Sequence, residues 1–486
     1  MNPARLVFPA IRWGARAPDE VWPEVRRGID LGVGGFVVFG GSVAAMRELL
    51  ARVRQRTDRP LLFASDLERG AGQQLRDATP LPPPAALATM ADSSLVEAAR
   101  ITAREAAAAG IGWVLAPVAD LDIEPANPIV GTRAFGAKAG SVSDRVRAWV
   151  QSAQAEGVSA CAKHFPGHGR TTVDSHAELP VVSATREELE ADLEPFLAAI
   201  DTEVRSVMMA HVAFPELDPT GAPASLSPAI IELLRKNLGF DGLVVTDAFI
   251  MQAVSGSGRT EEEAAVEAVR AGCDVVLYPS SPESTIAALE AALKSGELKP
   301  GRIEEAENRV AEIAASSYTS LEAPVPASSD VRALELAVRS VHLIRGSSHL
   351  VGPSQSIRLR VVDDDVVELP PSLDAPGSAR SDRGRLASAL QDRGVTVDPE
   401  SSGSDIDVVA VFSEVKGWKG RAGLGEATVD TLRGMLEDSP DAALVLFGHP
   451  RLAEQLRFAA NVLCAWCGDS LMQEAVAERL VATAVR

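Results

Sequence analysis

The sequence predicts an α/β protein in which a (β/α)8 barrel of the TIM type is followed by a smaller αβα sandwich domain. Short β-branched runs alternate with helical runs rich in Ala, Leu and Glu through residue 315. Eight such units in succession are typical of this barrel. Polar residues cluster directly after the predicted strands, and the loops of a barrel converge at that end. The length of 486 residues leaves room for a second domain.

The eight strands are predicted from short apolar runs, and the helices from the amphipathic stretches between them. The predicted strands are 6–11, 35–39, 61–65, 113–117, 158–162, 206–210, 243–246 and 274–278. The predicted helices include 43–53, 95–109, 143–156, 186–200, 228–238 and 261–271.

A change in composition divides the chain after the last of these units. Residues 321–330 contain two Pro among small residues, which predicts a linker. We therefore expect a barrel domain at 1–320 and a C-terminal domain at 331–486. The second domain is expected to open with a helix, 331–341, and a Pro-, Ser- and Asp-rich loop is expected at 366–384. Its predicted strands are 357–362, 406–412, 442–447 and 462–465.

Charge and cysteine content restrict the partners and the compartment. Lys and Arg number 47 against 67 Asp and Glu, a net charge of −20, which argues against nucleic acid and anionic membrane as partners. The N-terminal stretch has neither a signal peptide pattern nor a membrane-spanning one. Four cysteines fit a reducing cytoplasm. Cys464 and Cys467 form a C-x-x-C pair, read either as a redox or zinc motif or as two small buried residues.

The richest stretch for chemistry is 163–169, Lys-His-Phe-Pro-Gly-His-Gly, followed by Asp174-Ser-His176. Asp174 can accept the N–H of His176 and fix its tautomer, so that the other ring nitrogen transfers a proton near neutral pH. The alternative is a loop stabilised by Asx-type hydrogen bonds.

Further charged residues follow other predicted strands. Asp247 ends the strand at 243–246 and can present a nucleophilic carboxylate, or it can cap the next helix. Another group offers charge-assisted hydrogen bonds to substrate hydroxyls, or forms a salt-bridged rim that holds loops together. This group is Asp66, Arg133, Lys163 and His164.

A zinc site is the alternative use of these side chains. Its candidate ligands are His164, His168, His176 and His211 with Asp66 or Asp247. The first strand carries no His-x-His pair, and three of the histidines lie on one loop beside Lys163, whose charge opposes a cation. We therefore predict no metal.

These motifs resemble the signature of bacterial β-N-acetylhexosaminidases of glycoside hydrolase family 3. The matching stretches are in family order and spread over residues 60–250. They are 66–68, 131–135, 163–169, 174–176 with Pro180, 209–212, 223–227 and 240–247. The helix and strand at 331–345 resemble the start of the second domain found in part of that family.

The resemblance implies a retaining exo-β-N-acetylglucosaminidase that needs no cofactor and acts on terminal N-acetyl-β-glucosaminides, with cell-wall recycling fragments as candidate substrates. It implies Asp247 as nucleophile, His176 as acid/base and Asp174 as its partner. It also implies a set of residues that bind the sugar, of which the last has the least defined role. These are Asp66, Arg133, Lys163, His164 and His211.

Two departures from the family and three alternatives stay open. The glycine-rich run after Asp66 is altered, and Gln74 stands where the family usually has an arginine that contacts substrate. The enzyme could be a phosphorylase with phosphate as co-substrate, because a neutral His176 would not repel that anion. It could be a β-glucosidase whose acid/base is Glu414. A non-catalytic sugar sensor is the third alternative, and the presence of Asp247, Asp174 and His176 argues against it.

Overall fold

The computed structural model describes residues 1–175, 177–254, 258–317, 329–347, 351, 355–365, 382–398, 404, 406–414 and 419–481. The described part holds a barrel of parallel strands and a second, mixed sheet. The predicted linker, except for its last two residues, and most of the predicted loop at 366–384 lie outside it. The division into domains at 321–330 therefore stays a prediction.

The barrel is a ring of parallel strands, as predicted. Its strands are β1 (Val7–Phe8), β2 (Ala10–Arg12), β3 (Gly35–Phe39), β4 (Leu62–Ser65), β5 (Trp113–Val114), β6 (Ser159–Phe165), β7 (Ser206–Met209), β8 (Leu243–Thr246) and β9 (Val276–Leu277). Strands β2 to β8 pair in order as a seven-stranded sheet. The ring closes because β1 pairs with β9 and Val245 bridges Val275. Pro9 splits the predicted first strand into β1 and β2, since proline has no N–H for the ladder.

Helices surround the ring and lie close to the predicted positions. They are α1 (Pro18–Leu31), α2 (Val43–Arg56), α3 (Pro84–Leu87), α4 (Asp92–Ala108), α5 (Ala139–Gln154), α6 (Arg186–Asp201), α7 (Pro228–Glu232), α8 (Glu261–Ala271), α9 (Pro282–Ser295) and α10 (Pro300–Ser316). Helix α7 continues as a π-helical turn, Leu233–Asn237, which completes the predicted helix at 228–238.

Large side chains fill the inside of the ring. Phe8, Trp113 and Met208 are buried in the cluster that the strands enclose. The Trp113 indole N–H donates to Ser206 Oγ at 2.7 Å, so its buried polar group is satisfied. The centre is therefore a packed core, and an open space can exist only at the ends of the barrel.

The second sheet has the order β10-β15-β14-β13-β11-β12. Its strands are β10 (His342–Arg345), β11 (Ser356–Asp363), β12 (Thr396–Val397), β13 (Ile406–Ser413), β14 (Ala443–Gly448) and β15 (Asn461–Cys464). Only β10 is antiparallel to its neighbour. The four central predictions are confirmed. Strand β10 lies in the helix and strand at 331–345 that resemble the start of the family's second domain, whereas the edge strand β12 is only two residues long and gives no apolar run.

Helices cover both faces of this sheet, which confirms the αβα sandwich. They are α11 (Asp330–Ser340), α12 (Arg385–Asp392), α13 (Glu426–Asp438) and α14 (Ser470–Leu480). Alternate residues of β13 face opposite sides: Val409 packs in a cluster with Leu432 of α13, whereas Ala410 packs in the cluster that holds Leu336 and Met472 of α11 and α14. No helix in the described residues is both long enough and apolar enough to cross a membrane.

Candidate active site

A cavity of about 400 Å³ lies at the carboxyl ends of the barrel strands, where the sequence predicted the chemistry. Val37, Met208 and Leu277 contribute to its floor. The second domain contributes Glu414 and Cys467. Five of the predicted site residues line the cavity, namely Asp66, Arg133, Lys163, His164 and Asp247. The second sheet therefore supplies part of the wall of a site built mainly by the barrel.

One side of the cavity is a buried ionic cluster, hereafter the clamp, formed by Asp66, Glu68, Arg133 and Lys163. Lys163 Nζ lies 2.6 Å from Asp66 Oδ1 and 2.7 Å from Glu68 Oε1. Arg133 donates through Nε and Nη2 to the two oxygens of Glu68, at 2.9 and 2.8 Å. Glu68 thus joins both cations. Glu68 is not among the site residues predicted from the sequence, although it lies in the stretch 66–68 that resembles the family, two residues after Asp66.

The clamp is charged at neutral pH. Burial by itself raises the pKa of Glu68, but the charges and hydrogen bonds of Arg133 and Lys163 outweigh burial and lower that pKa. Burial opposes the charge on Lys163, and the carboxylates of Asp66 and Glu68 outweigh it, so the pKa of Lys163 is raised. The cavity therefore presents fixed donors and acceptors in a setting that excludes most water, where such groups act strongly on a polar ligand.

A second buried carboxylate, Asp120, orients the histidines. Its Oδ2 lies 2.7 Å from His164 Nδ1, and its Oδ1 accepts the backbone N–H of His168 at 2.6 Å. If His164 Nδ1 carries the proton, its Nε2 can accept from Arg133 Nη2, which lies 3.4 Å away. Asp120 is fully buried and is not among the site residues predicted from the sequence.

His168 connects this network to the loop that carries Asp174. Its Nδ1 lies 2.8 Å from Thr171 Oγ1, and its Nε2 lies 3.0 Å from Ser175 Oγ. Burial, followed by the charge of His164, lowers the pKa of His168 to about 4, so the ring is neutral near pH 7. Because Thr171 Oγ1 donates to the His168 carbonyl, Nδ1–H donates to Thr171 and Nε2 accepts from Ser175.

Asp247 follows β8 and lines the cavity with a half-buried side chain. Its backbone N–H donates to Met209 O at 3.1 Å, and its Oδ1 accepts the N–H of Ala248 at 2.7 Å. The alternative that Asp247 caps the next helix is wrong, because the next α-helix begins only at Glu261. The carboxylate is held at the end of its strand and belongs to the cavity wall.

Three predicted site residues remain, namely Asp174, His176 and His211. Asp174 is buried, and its carbonyl accepts the N–H groups of Ala177 and Glu178. His176 lies outside the described residues. His211 is fully buried, its Nδ1 lies 2.7 Å from Ser225 Oγ, and it is not among the residues that line the cavity. The roles predicted for these three stay predictions.

The zinc and redox readings find little support in the described residues. No group of three His, Cys, Asp or Glu side chains there is placed to hold a metal ion, although His176 lies outside that set. Cys464 and Cys467 are buried free thiols. Burial raises the pKa of Cys464 to about 12 and that of Cys467 well above its ordinary value. Both thiols are therefore protonated at neutral pH, which makes them poor nucleophiles.

A second part of the cavity boundary, hereafter the interdomain wall, consists of Arg69, Glu414 and Cys467, which line the cavity, and Asp469, which binds Arg69. Arg69 Nη1 donates to Asp469 Oδ2 at 3.1 Å and to Cys467 Sγ at 3.2 Å. Glu414 Oε1 accepts the N–H of Gly468 at 2.8 Å. The altered run after Asp66 therefore contacts the second domain. Gln74 also lines the cavity, with its Oε1 accepting the N–H of Gly40 at 3.1 Å.

The sequence profile of the glycosyl hydrolase family 3 N terminal domain matches residues 25–313. The chain belongs to this family. The family resemblance of the sequence motifs is thereby confirmed, and the cavity is the candidate active site of a glycoside hydrolase.

Individual relatives agree with this family. A beta-N-acetylglucosaminidase/beta-glucosidase of Cellulomonas fimi is 33% identical over 298 residues, which are 59% of this chain and 53% of that protein. This chain thus spans about half the length of that relative. A beta-hexosaminidase of Nitrosomonas eutropha is 36% identical over 264 residues, 52% of this chain and 75% of the relative.

Solved structures extend the likeness over both domains. A family 3 beta-N-acetylglucosaminidase from Paenibacillus sp. has a TM-score of 0.81 at 28% identity and covers 99% of this chain, with 96% of that chain covered. A beta-glucoside phosphorylase has a TM-score of 0.84 at 22% identity, with 99% of this chain and 91% of that chain covered. The second likeness concerns the fold alone.

Proposed function

We propose that this family 3 enzyme is a retaining, exo-acting β-N-acetylglucosaminidase that removes terminal N-acetyl-β-glucosaminides. The observation that carries the proposal is that Asp247 and the clamp line one cavity. A carboxylate that can attack a sugar carbon thus faces the charged groups that can hold the hydroxyls of the same sugar. The names of the relatives from Cellulomonas fimi and Nitrosomonas eutropha support the choice of sugar.

The clamp gives the sugar its orientation. Asp66 keeps 28% of its side chain exposed although it bonds Lys163, so it can also accept from a substrate hydroxyl. Lys163 and Arg133 are donors whose positions their bonds to Glu68 fix. Holding a reactant in a fixed geometry converts binding energy into rate, because the entropy of alignment is lost before the reaction begins.

The proposed reaction is a double displacement. An oxygen of Asp247 donates an electron pair to the anomeric carbon, the bond to the leaving oxygen breaks, and His176 gives that oxygen its proton. A glycosyl–Asp247 ester results. Water then attacks the same carbon, its proton passes to His176, and the Asp247 carboxylate departs. Two inversions give net retention. Asp174 is proposed to hold the His176 tautomer, and every step uses side chains of this chain.

A β-glucosidase with Glu414 as acid/base is a second candidate, because Glu414 lines the cavity. Its carboxylate is however engaged by the Gly468 N–H at 2.8 Å and lies 3.6 Å from Arg383 Nη1. Both contacts commit the carboxylate to groups of the second domain. A complete Asp174–His176 pair would also make a second acid redundant.

The test is turnover of an aryl N-acetyl-β-glucosaminide with and without inorganic phosphate, with identification of the sugar product. Free N-acetylglucosamine at equal rates is expected, and sugar 1-phosphate formed at an increased rate would show a phosphorylase. His176→Ala is expected to slow a substrate with a poor leaving group by at least ~100-fold. Glu414→Gln is the matched variant and is expected to retain activity. The reverse result would establish the glucosidase-type acid/base.

A further inference from the structure

Arg69 occupies a distinctive place in the cavity wall. It is the one member of the interdomain wall that belongs to the barrel, and its two side-chain partners, Cys467 and Asp469, belong to the second domain. It lines the cavity and keeps 29% of its side chain exposed. Within the part of the chain that the structure describes, the hydrogen bonds of its guanidinium use Nη1 alone. The guanidinium carries five N–H donors in a planar fork, so Nε and Nη2 stay available to a ligand.

Both ends of this contact are held firmly. Asp469 is the N-cap of α14, where its Oδ1 accepts the N–H of Met472 at 2.9 Å, while its Oδ2 binds Arg69. The backbone N–H of Arg69 donates to Gln73 Oε1 at 3.0 Å. Gly70, at φ +82, packs so closely on Thr79 that a Cβ would lie 2.4 Å from its carbonyl oxygen. The fork is therefore presented in a preset position before any ligand binds.

The charges around Arg69 select the kind of group it can receive. Burial opposes the charge of Arg69, but Cys467 and the carboxylates of Asp469 and Glu414 outweigh burial and raise the pKa of the guanidinium. The carboxylates of Asp469 and Glu414 would repel an anion that approached Arg69. A neutral oxygen-rich group, such as a sugar hydroxyl, can accept its N–H groups without that repulsion.

We propose that Arg69, positioned by Asp469 of the second domain, is a specificity-determining residue that binds the leaving group and favours a sugar over an apolar aryl group. The inference rests on the proposed function. An exo-acting enzyme takes the terminal sugar into the closed end of its cavity. The clamp is proposed to hold that terminal sugar, and Arg69 lines the same cavity without being bonded into the clamp, so its free donors are left for the leaving group.

The test compares two substrates of the intact two-domain protein, N,N′-diacetylchitobiose and 4-nitrophenyl N-acetyl-β-glucosaminide. Arg69→Ala is expected to lower kcat/KM for the disaccharide by at least ~10-fold and for the aryl substrate by less than ~3-fold. Arg69→Lys, which keeps charge but loses the fork, is expected to fall between wild type and Arg69→Ala. Asp469→Asn can still cap α14. It is expected to lower the ratio of kcat/KM for the disaccharide to kcat/KM for the aryl substrate, as Arg69→Ala does.

Arg451→Ala is the matched control. Arg451 also joins the second domain to the barrel, through Asp122 and the Glu124 carbonyl, and is not among the residues that line the cavity. It is expected to leave the substrate ratio unchanged. Equal losses on both substrates in Arg69→Ala, or the same ratio change in Arg451→Ala, would overturn the proposal.

Two further outcomes are separate from these. Inorganic phosphate could increase the rate of the wild-type enzyme. If Arg69→Ala removes that increase and leaves the ratio of kcat/KM between the two substrates unchanged, Arg69 binds an anion and the proposal is overturned. A wild-type protein that fails to turn over either substrate would refute the proposed function. Thermal unfolding of each variant identifies any that fails to fold, and Asp469→Asn then serves as the second test of Arg69.

Discussion

The two sides of the cavity are held in place in different ways. The clamp joins Asp66, Glu68, Arg133 and Lys163, all of them in the barrel, across separations of 65 to 97 residues. The interdomain wall joins Arg69 to Cys467 and Asp469, which lie 398 and 400 residues further along the chain. Solvent exposure does not distinguish the two, because Asp66 and Arg133 each keep 28% of the side chain exposed and Arg69 keeps 29%.

This difference separates two tasks within one site. The clamp is built from neighbouring strand ends, so it forms when the barrel forms. Its specificity for the sugar that it binds is therefore fixed by the barrel. The interdomain wall exists only when both domains are docked. Its residues can therefore be substituted without disturbing the strands of the barrel. We therefore expect mutations in the clamp to affect stability and all substrates, and mutations at the domain contact to have smaller or substrate-dependent effects.

The largest effect is expected from Glu68→Gln, which removes the carboxylate shared by Lys163 and Arg133. Breaking a buried ion pair leaves uncompensated charge, so we expect a loss of about 3–5 kcal/mol in the free energy of unfolding. We also expect a fall of at least ~100-fold in kcat/KM for every substrate. Urea unfolding and steady-state kinetics measure the two quantities.

Glu156→Gln is the matched control for Glu68→Gln. Glu156 receives the same two-pronged contact from Arg104, at 2.8 and 2.9 Å, but Arg104 is 57% exposed. We expect a loss of about 1 kcal/mol or less. Similar losses in the two variants would show that burial does not distinguish the clamp from a surface ion pair.

The second effect concerns acid and His168. Because folding lowers the pKa of His168 from 6.5 to about 4, the unfolded chain binds more protons between these values. The contribution of His168 is therefore fully present above pH 6.5 and is lost as the pH falls toward 4, by about 3 kcal/mol in all. His168→Gln cannot titrate, so its free energy of unfolding is expected to fall less than that of wild type over this range.

The comparison for His168 is between pH profiles rather than single values. The free energy of unfolding is measured from urea denaturation at several pH values for wild type, His168→Gln and His342→Gln. His342 lies on the edge strand β10 of the second domain, away from the cavity. Parallel profiles for wild type and His168→Gln would contradict the prediction.

The smallest effect is expected from Arg451→Ala. Its guanidinium binds Asp122, which also lies 3.0 Å from His449 Nε2, so one contact of the domain interface survives. We expect a loss of about 1 kcal/mol or less in stability and a change of less than ~3-fold in kcat/KM. A loss of activity above ~10-fold on both substrates would show that domain docking as a whole shapes the site, and would remove the distinction between clamp and wall.

Much of the fold and part of the site were predictable from local sequence patterns. Strands such as β3 and β8 are short, nearly continuous apolar runs, as expected of parallel strands that are buried on both faces. Placement of Asp66, Lys163 and Asp247 followed from one geometric fact, that parallel strands carry their carboxyl ends to one face. The same reasoning left Glu68 and Asp120 unassigned, because it cannot show which of two nearby carboxylates points to a partner.

The sequence by itself determined the barrel, the sandwich, the family and the end of the barrel at which the charged residues meet. Only the tertiary structure decided that Asp247 lies in the cavity wall and caps no α-helix, that His168 bonds Ser175, and that Arg69 meets Asp469. The physical reason is range. Periodicity and strand-end position are properties of neighbouring residues, whereas a hydrogen bond across 400 residues depends on how two separately folded sheets dock.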